Sequence, residues 1–224
     1  MPLLIAIDGP VGAGKSTISD AVAQRLGILH LDTGAMYRAA GLAALRAGVS
    51  LDDEQAVSEC VGRADISVRY EDGVQRTLLS GEDVTGALRT PEASDAASRV
   101  SQYPAVRRKL VEAQQRIARS TSLLMDGRDI GTVVLPDAPV KIYLTATAQA
   151  RAARRMLQMR EKGDQTPFEV ILAEVNARDD RDMHRETDPL RQAEDAVVVD
   201  SSELNFEETV NAILRIVAER SAEA

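Results

Sequence analysis

A run of eight residues early in the chain matches a phosphate-binding loop in every fixed position. The run Gly9-Pro10-Val11-Gly12-Ala13-Gly14-Lys15-Ser16 fits the pattern G-x-x-x-x-G-K-[ST]. Its glycines let the backbone fold tightly so that successive N–H groups face phosphate oxygens, and the following helix presents its positive end to the same anion. Lys15 would neutralise β- and γ-phosphate oxygens, and Ser16 would bind Mg²⁺ directly. The motif predicts binding of ATP or GTP.

Asp126 is a second candidate for metal chemistry. It follows Leu123-Leu124-Met125, a short apolar run that predicts a buried strand. P-loop enzymes use an aspartate at the end of such a strand for Mg²⁺, here expected to act through water. The alternative role for Asp126 is a cap on a turn or helix. The residues predicted to bind the nucleotide are Gly9, Pro10, Val11, Gly12, Ala13, Gly14, Lys15, Ser16 and Thr17.

The class of P-loop protein can be narrowed further. A GTPase needs a guanine-reading Asn-Lys-x-Asp segment, and no asparagine in this chain is followed by lysine. Molecular motors and AAA-type ATPases are usually longer or carry clear machinery for coupling subunits. Small-molecule kinases are therefore the leading class.

The composition limits the partners and the compartment. A net charge of −8 over 224 residues argues against a general nucleic-acid binder. The longest clean apolar run, Pro2–Ile7, is too short to cross a bilayer, and no basic segment precedes it. A single cysteine, Cys60, fits a reducing compartment. We expect a cytoplasmic monomer with no nucleic-acid or membrane partner.

Short apolar strands alternate with helical segments along most of the chain. The strands are of the fully buried kind found in parallel sheets, and the helices repeat apolar residues at helical spacing. The predicted strands are Leu3–Ile7, Ile28–Asp32, Leu123–Asp126, Val140–Leu144 and Val197–Asp200. The predicted helices are Lys15–Leu26, Ala35–Arg46, Ala105–Arg119 and a last one from Phe206 through Val217. This order predicts an α/β fold with a doubly wound parallel sheet.

The middle of the chain predicts a small antiparallel sheet inserted into this frame. Ile66–Tyr70 alternates in polarity, Asp72-Gly73 is a hairpin turn signal, and Val74–Leu79 alternates again. A third short strand is expected at Glu82–Thr85.

Two capping signals and one basic segment complete the pattern. Ser50-x-x-Asp53 is similar to a capping box and predicts a helix that ends near Arg63. Thr166-Pro167-Phe168-Glu169 predicts a helix with Thr166 as its cap and proline in its first position. Arg151–Lys162 holds five basic residues and one acidic residue, so it is either a solvated helix face or a phosphate-binding lid.

Four segments resemble bacterial cytidylate kinases, with spacing preserved from about Ile5 to Ser201. They are Gly9-Pro10-x-Gly12-Ala13-Gly14-Lys15, Asp32-Thr33-Gly34-Ala35-Met36-Tyr37-Arg38, Asp126-Gly127-Arg128-Asp129-Ile130-Gly131-Thr132 and Arg178-Asp179-Asp180-Arg181-Asp182. Thr33 is one departure, because relatives often carry serine there. Both residues supply a hydroxyl, so Thr33 can still act as a hydrogen-bonding residue at this position.

The resemblance implies a fold, a reaction and a division of the chain. The fold is an adenylate-kinase-like, three-layer P-loop fold with five parallel strands, a small antiparallel β insertion and a helical lid. The reaction is transfer of the γ-phosphoryl group of ATP, with Mg²⁺, to CMP or dCMP in pyrimidine nucleotide metabolism. The implied division is a single kinase domain over 1–224, with an NMP-binding region at 33–107, a β insertion at about 65–86 and a lid at 151–164.

Phosphoryl transfer passes through a loose transition state with charge on its oxygens, so converging arginines do much of the work. The resemblance implies Lys15, Arg128, Arg178 and Arg154 as catalytic residues. It implies that Thr33, Tyr37, Arg38, Ser98, Arg107, Arg128, Asp129, Arg178, Asp182 and Arg185 bind CMP. The lid candidates are Arg151, Arg154, Arg155 and Arg160, without a choice among them. Asp179 and Asp180 are expected to orient arginines.

Cytosine recognition has a simple donor–acceptor logic. A carboxylate accepts from the exocyclic amine, while an arginine or hydroxyl donates to N3 and O2. By resemblance Ser98, Arg107 and Asp129 take these roles, and Asp182 with Arg178 holds the ribose hydroxyls. The alternative for Asp129 is an ion pair with an arginine.

Three other functions are compatible with a phosphate-binding loop. A uridylate/cytidylate kinase of the eukaryotic type and a shikimate kinase are both P-loop kinases, but the β insertion and the Asp-Gly-Arg-Asp segment speak against them. A nucleotide sensor that binds without turnover belongs to a different class. The intact Lys15, Ser16 and arginine set argue against it.

Overall fold

The computed structural model describes residues 2–223, so the predicted domain 1–224 extends one residue beyond it at each end. The strands are β1 (Leu4–Asp8), β2 (Leu29–Asp32), β3 (Ile66–Glu71), β4 (Val74–Leu79), β5 (Glu82–Asp83), β6 (Leu123–Gly127), β7 (Val140–Thr145) and β8 (Val197–Asp200). The helices are α1 (Lys15–Leu26), α2 (Thr33–Arg46), α3 (Glu54–Arg63), α4 (Pro91–Val100), α5 (Pro104–Ala118), α6 (Ala148–Glu161), α7 (Phe168–His184) and α8 (Phe206–Glu223). Within residues 2–223, none of the helices combines the length and apolar character needed to cross a bilayer.

The predicted five-stranded parallel sheet is confirmed. Its strand order is β2-β6-β1-β7-β8. Strands that are far apart in the chain lie side by side, so crossover connections link them, as in doubly wound folds. β1 and β8 both run parallel to β7, with Ile7 opposite Ile142 and Leu144 opposite Val199. Ile7, Ile142 and Leu144 are almost completely buried, which explains the unbroken apolar character of these strands.

Internal contacts divide the chain into two compact units. The first unit comprises Ile28–Met125 with the segment before β1, and the second comprises Leu4–Gly27 with the chain from Asp126 onward. In the second unit α1 packs against α8, and α6 packs against α7 around Ala152, Ile171 and Val175.

Helix packing in the first unit depends on small residues. α2 packs extensively against α4, and their facing residues are largely alanine. A Cβ atom added at Gly41 would lie 2.7 Å from Ala96 Cβ and 3.0 Å from the Ala97 backbone nitrogen. Only glycine at this position permits so close an approach of the two helices.

The predicted antiparallel insertion is confirmed, with the order β3-β4-β5. Asp72 and Gly73 both have positive φ and join β3 to β4 in a tight turn, with Glu71 opposite Val74. β5 is shorter than predicted and ends at Asp83, because the Thr85 N–H turns back to the Asp83 carboxylate (2.9 Å).

The predicted starts of two helices were wrong, and a third helix was not predicted. α3 begins at Glu54 with Asp53 as its cap, accepting from the Ala56 N–H, so Ser50 lies outside the helix. α7 begins at Phe168 with Pro167 at the capping position, because the Thr166 hydroxyl donates to Asp164 instead (2.6 Å). α4 was not predicted, although Thr90 caps it and Pro91 opens it.

Candidate active site

The phosphate-binding loop has the backbone conformation that the sequence predicts. Gly12 and Gly14 have positive φ, and a Cβ atom at Gly9 would lie 2.0 Å from the Leu144 carbonyl oxygen of β7. Gly14 caps α1 without a side-chain hydrogen bond, and the first turn of α1 contains no acidic residue. This helix end is therefore suited to an anion. Thr17 lies exposed in that first turn.

Lys15 lies buried beneath this loop, at 6% exposure. Its ammonium donates to the carbonyl oxygens of Gly9 and Pro10, each at 2.8 Å. Burial and the neighbouring positive charge of Arg128 lower the pKa of Lys15 to about 7, against the opposing effect of Asp126 and Asp182. The lysine is thus a poorly solvated cation, which a phosphate chain would stabilise.

Ser16 and Asp126, the two residues predicted to act on Mg²⁺, lie in contact. The Ser16 hydroxyl donates to Asp126 Oδ2 at 3.0 Å, and Asp126 is 3% exposed at the end of β6. A hydroxyl and a carboxylate oxygen side by side are the ligand types that Mg²⁺ prefers when phosphates and water complete its shell. No cluster of three or more His, Cys, Asp or Glu side chains within residues 2–223 could hold a metal ion.

Asp8, which sequence reasoning missed, holds the loop that follows β6. Its carboxylate accepts from the N–H groups of Ile130 and Gly131 at 2.8 and 2.7 Å. These groups open a π-helical turn, Ile130–Val134, directly after Asp129. Burial raises the pKa of Asp8 to about 7, although these two hydrogen bonds lower it. A carboxylate ending the apolar strand β1 was the available signal.

Arg128 and Asp182 form a largely buried ion pair close to Lys15. The Arg128 Nε donates to Asp182 Oδ2 at 2.8 Å. Burial alone would raise the pKa of Asp182, but Arg128, Arg178 and Arg185 hold it below its usual value. This charge cluster brings the Asp-Gly-Arg-Asp segment together with the end of α7.

Arg178 is the least satisfied member of this cluster. Its Nε is buried and has no hydrogen-bond partner within residues 2–223. Burial and the positive charge of Arg128 lower the pKa of Arg178 to about 10. A half-buried guanidinium whose buried Nε has no protein partner is suited to bind an anion.

Asp129 and Arg185 lie at the edge of the same cluster. Asp129 is 4% exposed, and one of its oxygens lies 3.8 Å from Arg185 Nη2. Arg185 also donates to the Asp188 carbonyl oxygen, with its Nε at 2.7 Å. The geometry permits the ion pair that was the alternative reading of Asp129.

Three of the four predicted lid arginines have protein partners described below, and the fourth, Arg160, lies exposed. Arg151 forms a bidentate ion pair with Asp179 (3.0 and 2.6 Å) and donates to the Val11 carbonyl oxygen of the phosphate loop (3.0 Å). Arg154 donates to the Ser201 hydroxyl (3.2 Å) and carbonyl, and Arg155 pairs with Glu174 (3.1 Å). The orienting role predicted for Asp179 is therefore confirmed.

The same prediction is wrong for Asp180. Its carboxylate contacts His184 Nδ1 at 2.9 Å rather than an arginine. Both side chains are exposed on the last turn of α7, so the charge of this pair lies in solvent.

The remaining predicted acceptor residues lie in the first unit. Asp32 caps α2 through the Ala35 N–H (2.9 Å) and holds Arg38 by an ion pair (2.7 Å). Thr33, the first residue of α2, is 3% exposed. Asp32 thus fixes both the start of the helix and the position of the Arg38 guanidinium.

Tyr37, Ser98 and Arg107 form a second, more buried group in that unit. The Arg107 guanidinium lies 5.6 Å from the centre of the Tyr37 ring and donates to the Ser101 carbonyl oxygen (3.3 Å). The Ser98 hydroxyl is buried without a partner within residues 2–223, and the Ser98 carbonyl accepts from the Ser101 hydroxyl (3.0 Å). Ser98 and Arg107 thus place polar groups in the buried interior of this unit.

A family model described as cytidylate kinase matches residues 5–219 of this chain. The chain belongs to the cytidylate kinase family. A cytidylate kinase of Caldicellulosiruptor bescii is 50% identical over 212 residues, covering 95% of this chain and 94% of that one. A cytidylate kinase of Klebsiella pneumoniae is 46% identical over 221 residues, covering 99% and 97%. The predicted resemblance is therefore confirmed, and the chain is a kinase of the nucleotide-binding P-loop type.

More distant likenesses among solved structures show the fold alone. A gluconokinase from Sinorhizobium meliloti is 16% identical with a TM-score of 0.52, over 99% of this chain and 95% of that one. A shikimate kinase from Bacteroides thetaiotaomicron is 13% identical with a TM-score of 0.51, over 99% of both chains. These enzymes share the P-loop kinase architecture with this cytidylate kinase family member.

Proposed function

We propose that this chain transfers the γ-phosphoryl group of ATP to CMP or dCMP, giving ADP and CDP or dCDP. Family membership supports the reaction. The observation that carries the proposal is that the Asp126–Asp129 segment contacts both signatures: Asp126 lies 3.0 Å from Ser16 of the phosphate loop, and Arg128 lies 2.8 Å from Asp182 of α7. The second unit thus joins the donor and acceptor signatures in one charged cluster.

In this proposal the positive groups act on the transferring phosphoryl group. Lys15 exchanges its hydrogen bonds to Gly9 and Pro10 for bonds to phosphate oxygens. Arg128 and Arg178 stabilise charge on the phosphoryl oxygens, and Arg154 assists from α6 after leaving Ser201. The acceptor is a phosphate oxyanion, so no side chain is needed as a base.

Ser16 and Asp126 would hold Mg²⁺, Ser16 directly and Asp126 through water. Their contact at 3.0 Å supports this assignment because it holds the proposed ligand, the Ser16 hydroxyl, beside the carboxylate that would bind the ion's water at the start of α1. When bound, the ion would neutralise charge on the β- and γ-phosphate oxygens. The protein would contribute by orienting the Ser16 hydroxyl and the Asp126 carboxylate.

Each of the two units contains residues that are predicted to bind the acceptor nucleotide. Arg38 and Arg185 would contact the CMP phosphate, Asp129 and Arg107 would read cytosine, and Asp182 would hold the ribose. The buried Ser98 hydroxyl supports a polar ligand beside Arg107. Thr33 and Tyr37 complete the predicted acceptor set.

The proposed division into an NMP-binding region (33–107) and a lid (151–164) stays a prediction. The structure supplies a helix, α6, over most of the lid range, and the antiparallel sheet over the predicted insertion. A monomeric state and a cytoplasmic location are further expectations from composition.

A coupled ADP-release assay with a panel of acceptors tests the function. CMP and dCMP should give the highest kcat/KM, with UMP lower by about tenfold or more, because one base contact discriminates by about 1–3 kcal/mol. AMP, shikimate and gluconate should give rates near the ATP hydrolysis background. A preference for any of these three over CMP would overturn the proposal.

A further inference from the structure

Gln75 of β4 makes the contacts that join the antiparallel sheet to the end of β2. Its side-chain Oε1 accepts from the Asp32 N–H at 2.8 Å, and its Nε2 donates to the Asp32 carbonyl oxygen at 3.2 Å. One amide therefore pairs with both backbone groups of Asp32, as a neighbouring strand would. Asp32 is the last residue of β2.

The amide of Gln75 is held in one orientation. Its Nε2 also donates to the Thr77 hydroxyl at 3.2 Å, and Thr77 is only 1% exposed. The reversed amide would place NH₂ against the Asp32 N–H, so the network fixes which atom is which. Tyr70, opposite Gln75 on β3, donates to the His30 carbonyl oxygen at 3.1 Å and makes a second link to β2.

Asp32 passes this constraint to the start of α2. Its Oδ1 accepts from the Ala35 N–H and so caps the helix, and its Oδ2 lies 2.7 Å from Arg38 Nη2 in an ion pair. The space is tight, because a Cβ atom at Gly34 would lie 3.0 Å from Asp32 Oδ1 and 3.1 Å from Arg38 Nη1. A shift of the Asp32 backbone would therefore move the Arg38 guanidinium.

We propose that Gln75 is a positioning residue for the acceptor site: it fixes Asp32, and through Asp32 it places Arg38 to receive the CMP phosphate. The inference rests on the proposed function, because it needs Arg38 to bind the acceptor. It assigns the antiparallel sheet a role in acceptor affinity that does not require the sheet itself to touch CMP.

Two substitutions remove the contact in different ways. Gln75→Leu keeps the volume but loses every hydrogen bond to Asp32 and Thr77. Gln75→Glu keeps an acceptor for the Asp32 N–H but sets a carboxylate oxygen against the Asp32 carbonyl. Arg76→Gln is the matched control, because Arg76 lies next in β4 and forms a surface ion pair with the exposed Glu71.

We expect KM for CMP to rise about tenfold in both Gln75 variants, because Gln75→Leu loses all three hydrogen bonds of the amide and Gln75→Glu loses the two that Nε2 donates. KM for ATP should stay within about twofold of the wild-type value, and Arg76→Gln should leave both constants unchanged. Thermal unfolding of each variant should show that the assays lie well below its melting temperature.

A double-mutant cycle with Arg38→Ala separates positioning from a general structural role. If Gln75 acts through Arg38, Gln75→Leu should raise KM for CMP little further in the Arg38→Ala background. Multiplying effects, an unchanged KM for CMP in Gln75→Leu, or an equal rise in KM for ATP would each overturn the proposal.

Hydrogen exchange at the Ala35 amide separates failure of the inference from failure of the function. Faster exchange in Gln75→Leu with an unchanged KM for CMP would show a tether without a role in affinity, while the function stands. A wild-type enzyme that ignores CMP would refute the proposed function, and the inference with it.

Discussion

At the scale of single residues, burial changes the acid–base chemistry of Lys15 most directly. Because burial and Arg128 lower the pKa of Lys15 to about 7 in the free protein, its side chain is largely a neutral amine at about pH 8. The phosphates of ATP favour its charged form, so ATP binding should take up a proton.

Titration calorimetry in two buffers of different ionisation enthalpy measures this proton. At about pH 8 we expect an uptake approaching one proton per ATP in the wild type and close to none in Lys15→Ala. Uptake that is the same in both proteins would place the titrating group elsewhere.

Asp129 is the residue on which base selectivity should depend. Uracil replaces the cytosine amine with a carbonyl, so a buried carboxylate facing it loses its partner. Asp129→Ala should therefore reduce kcat/KM for CMP much more than kcat/KM for UMP, whereas Arg128→Ala should slow both alike. If Asp129→Ala slows CMP and UMP by the same factor, Asp129 serves as the structural partner of Arg185.

Residue types and spacing predicted the phosphate loop well but not the residues that support it. The roles of Lys15, Ser16 and Asp126 depend on local motifs, and the Ser16–Asp126 contact is present. Asp8 and Gln75 act through backbone groups far along the chain, at Ile130 and Asp32, and no local pattern identifies such partners. Distant hydrogen bonding of this kind requires the tertiary structure.

At the scale of elements, Gly41 offers a test of how α2 and α4 pack. Alanine is favoured over glycine within a helix by up to about 1 kcal/mol, but overpacking typically costs about 1–3 kcal/mol. The added Cβ atom would lie 2.7 Å from Ala96 Cβ and 3.0 Å from helix backbone, which cannot yield cheaply. Gly41→Ala should therefore lower the free energy of unfolding.

Gly62 in α3 is the matched control, because a Cβ atom there meets nothing within 4 Å. Gly62→Ala should raise the free energy of unfolding by a few tenths to about 1 kcal/mol. Urea unfolding measures both variants, and stabilisation by Gly41→Ala would show that α2 and α4 do not depend on the close approach.

Element boundaries were predictable where one signal dominated. α1 and β8 have the predicted bounds because a glycine-rich loop and a pure valine run leave little choice. α7 starts later than predicted because Asp164 competes for the Thr166 hydroxyl. α4 was missed although two signals were available: the Thr90-Pro91 start, and the apolar residues Ala93, Ala96, Ala97 and Val100, which recur at helical spacing.

At the scale of the whole molecule, fold and function have separate support. Gluconokinase and shikimate kinase share the architecture at 16% and 13% identity, so architecture alone does not select the acceptor. Family membership selects it, through motifs that run along nearly the whole chain. An overall charge of −8 gives the protein no general attraction for phosphates, so their binding depends on individual cations such as Lys15, Arg128 and Arg178.

The most direct test of the central claim follows the phosphoryl group itself. ATP carrying a radioactive γ-phosphorus is incubated with the protein, Mg²⁺ and CMP, and the nucleotides are separated by anion exchange. We expect the label in CDP in step with ADP formation, and almost none in CDP with Lys15→Ala. Label released as orthophosphate, or ADP formed without labelled CDP, would contradict phosphoryl transfer to CMP.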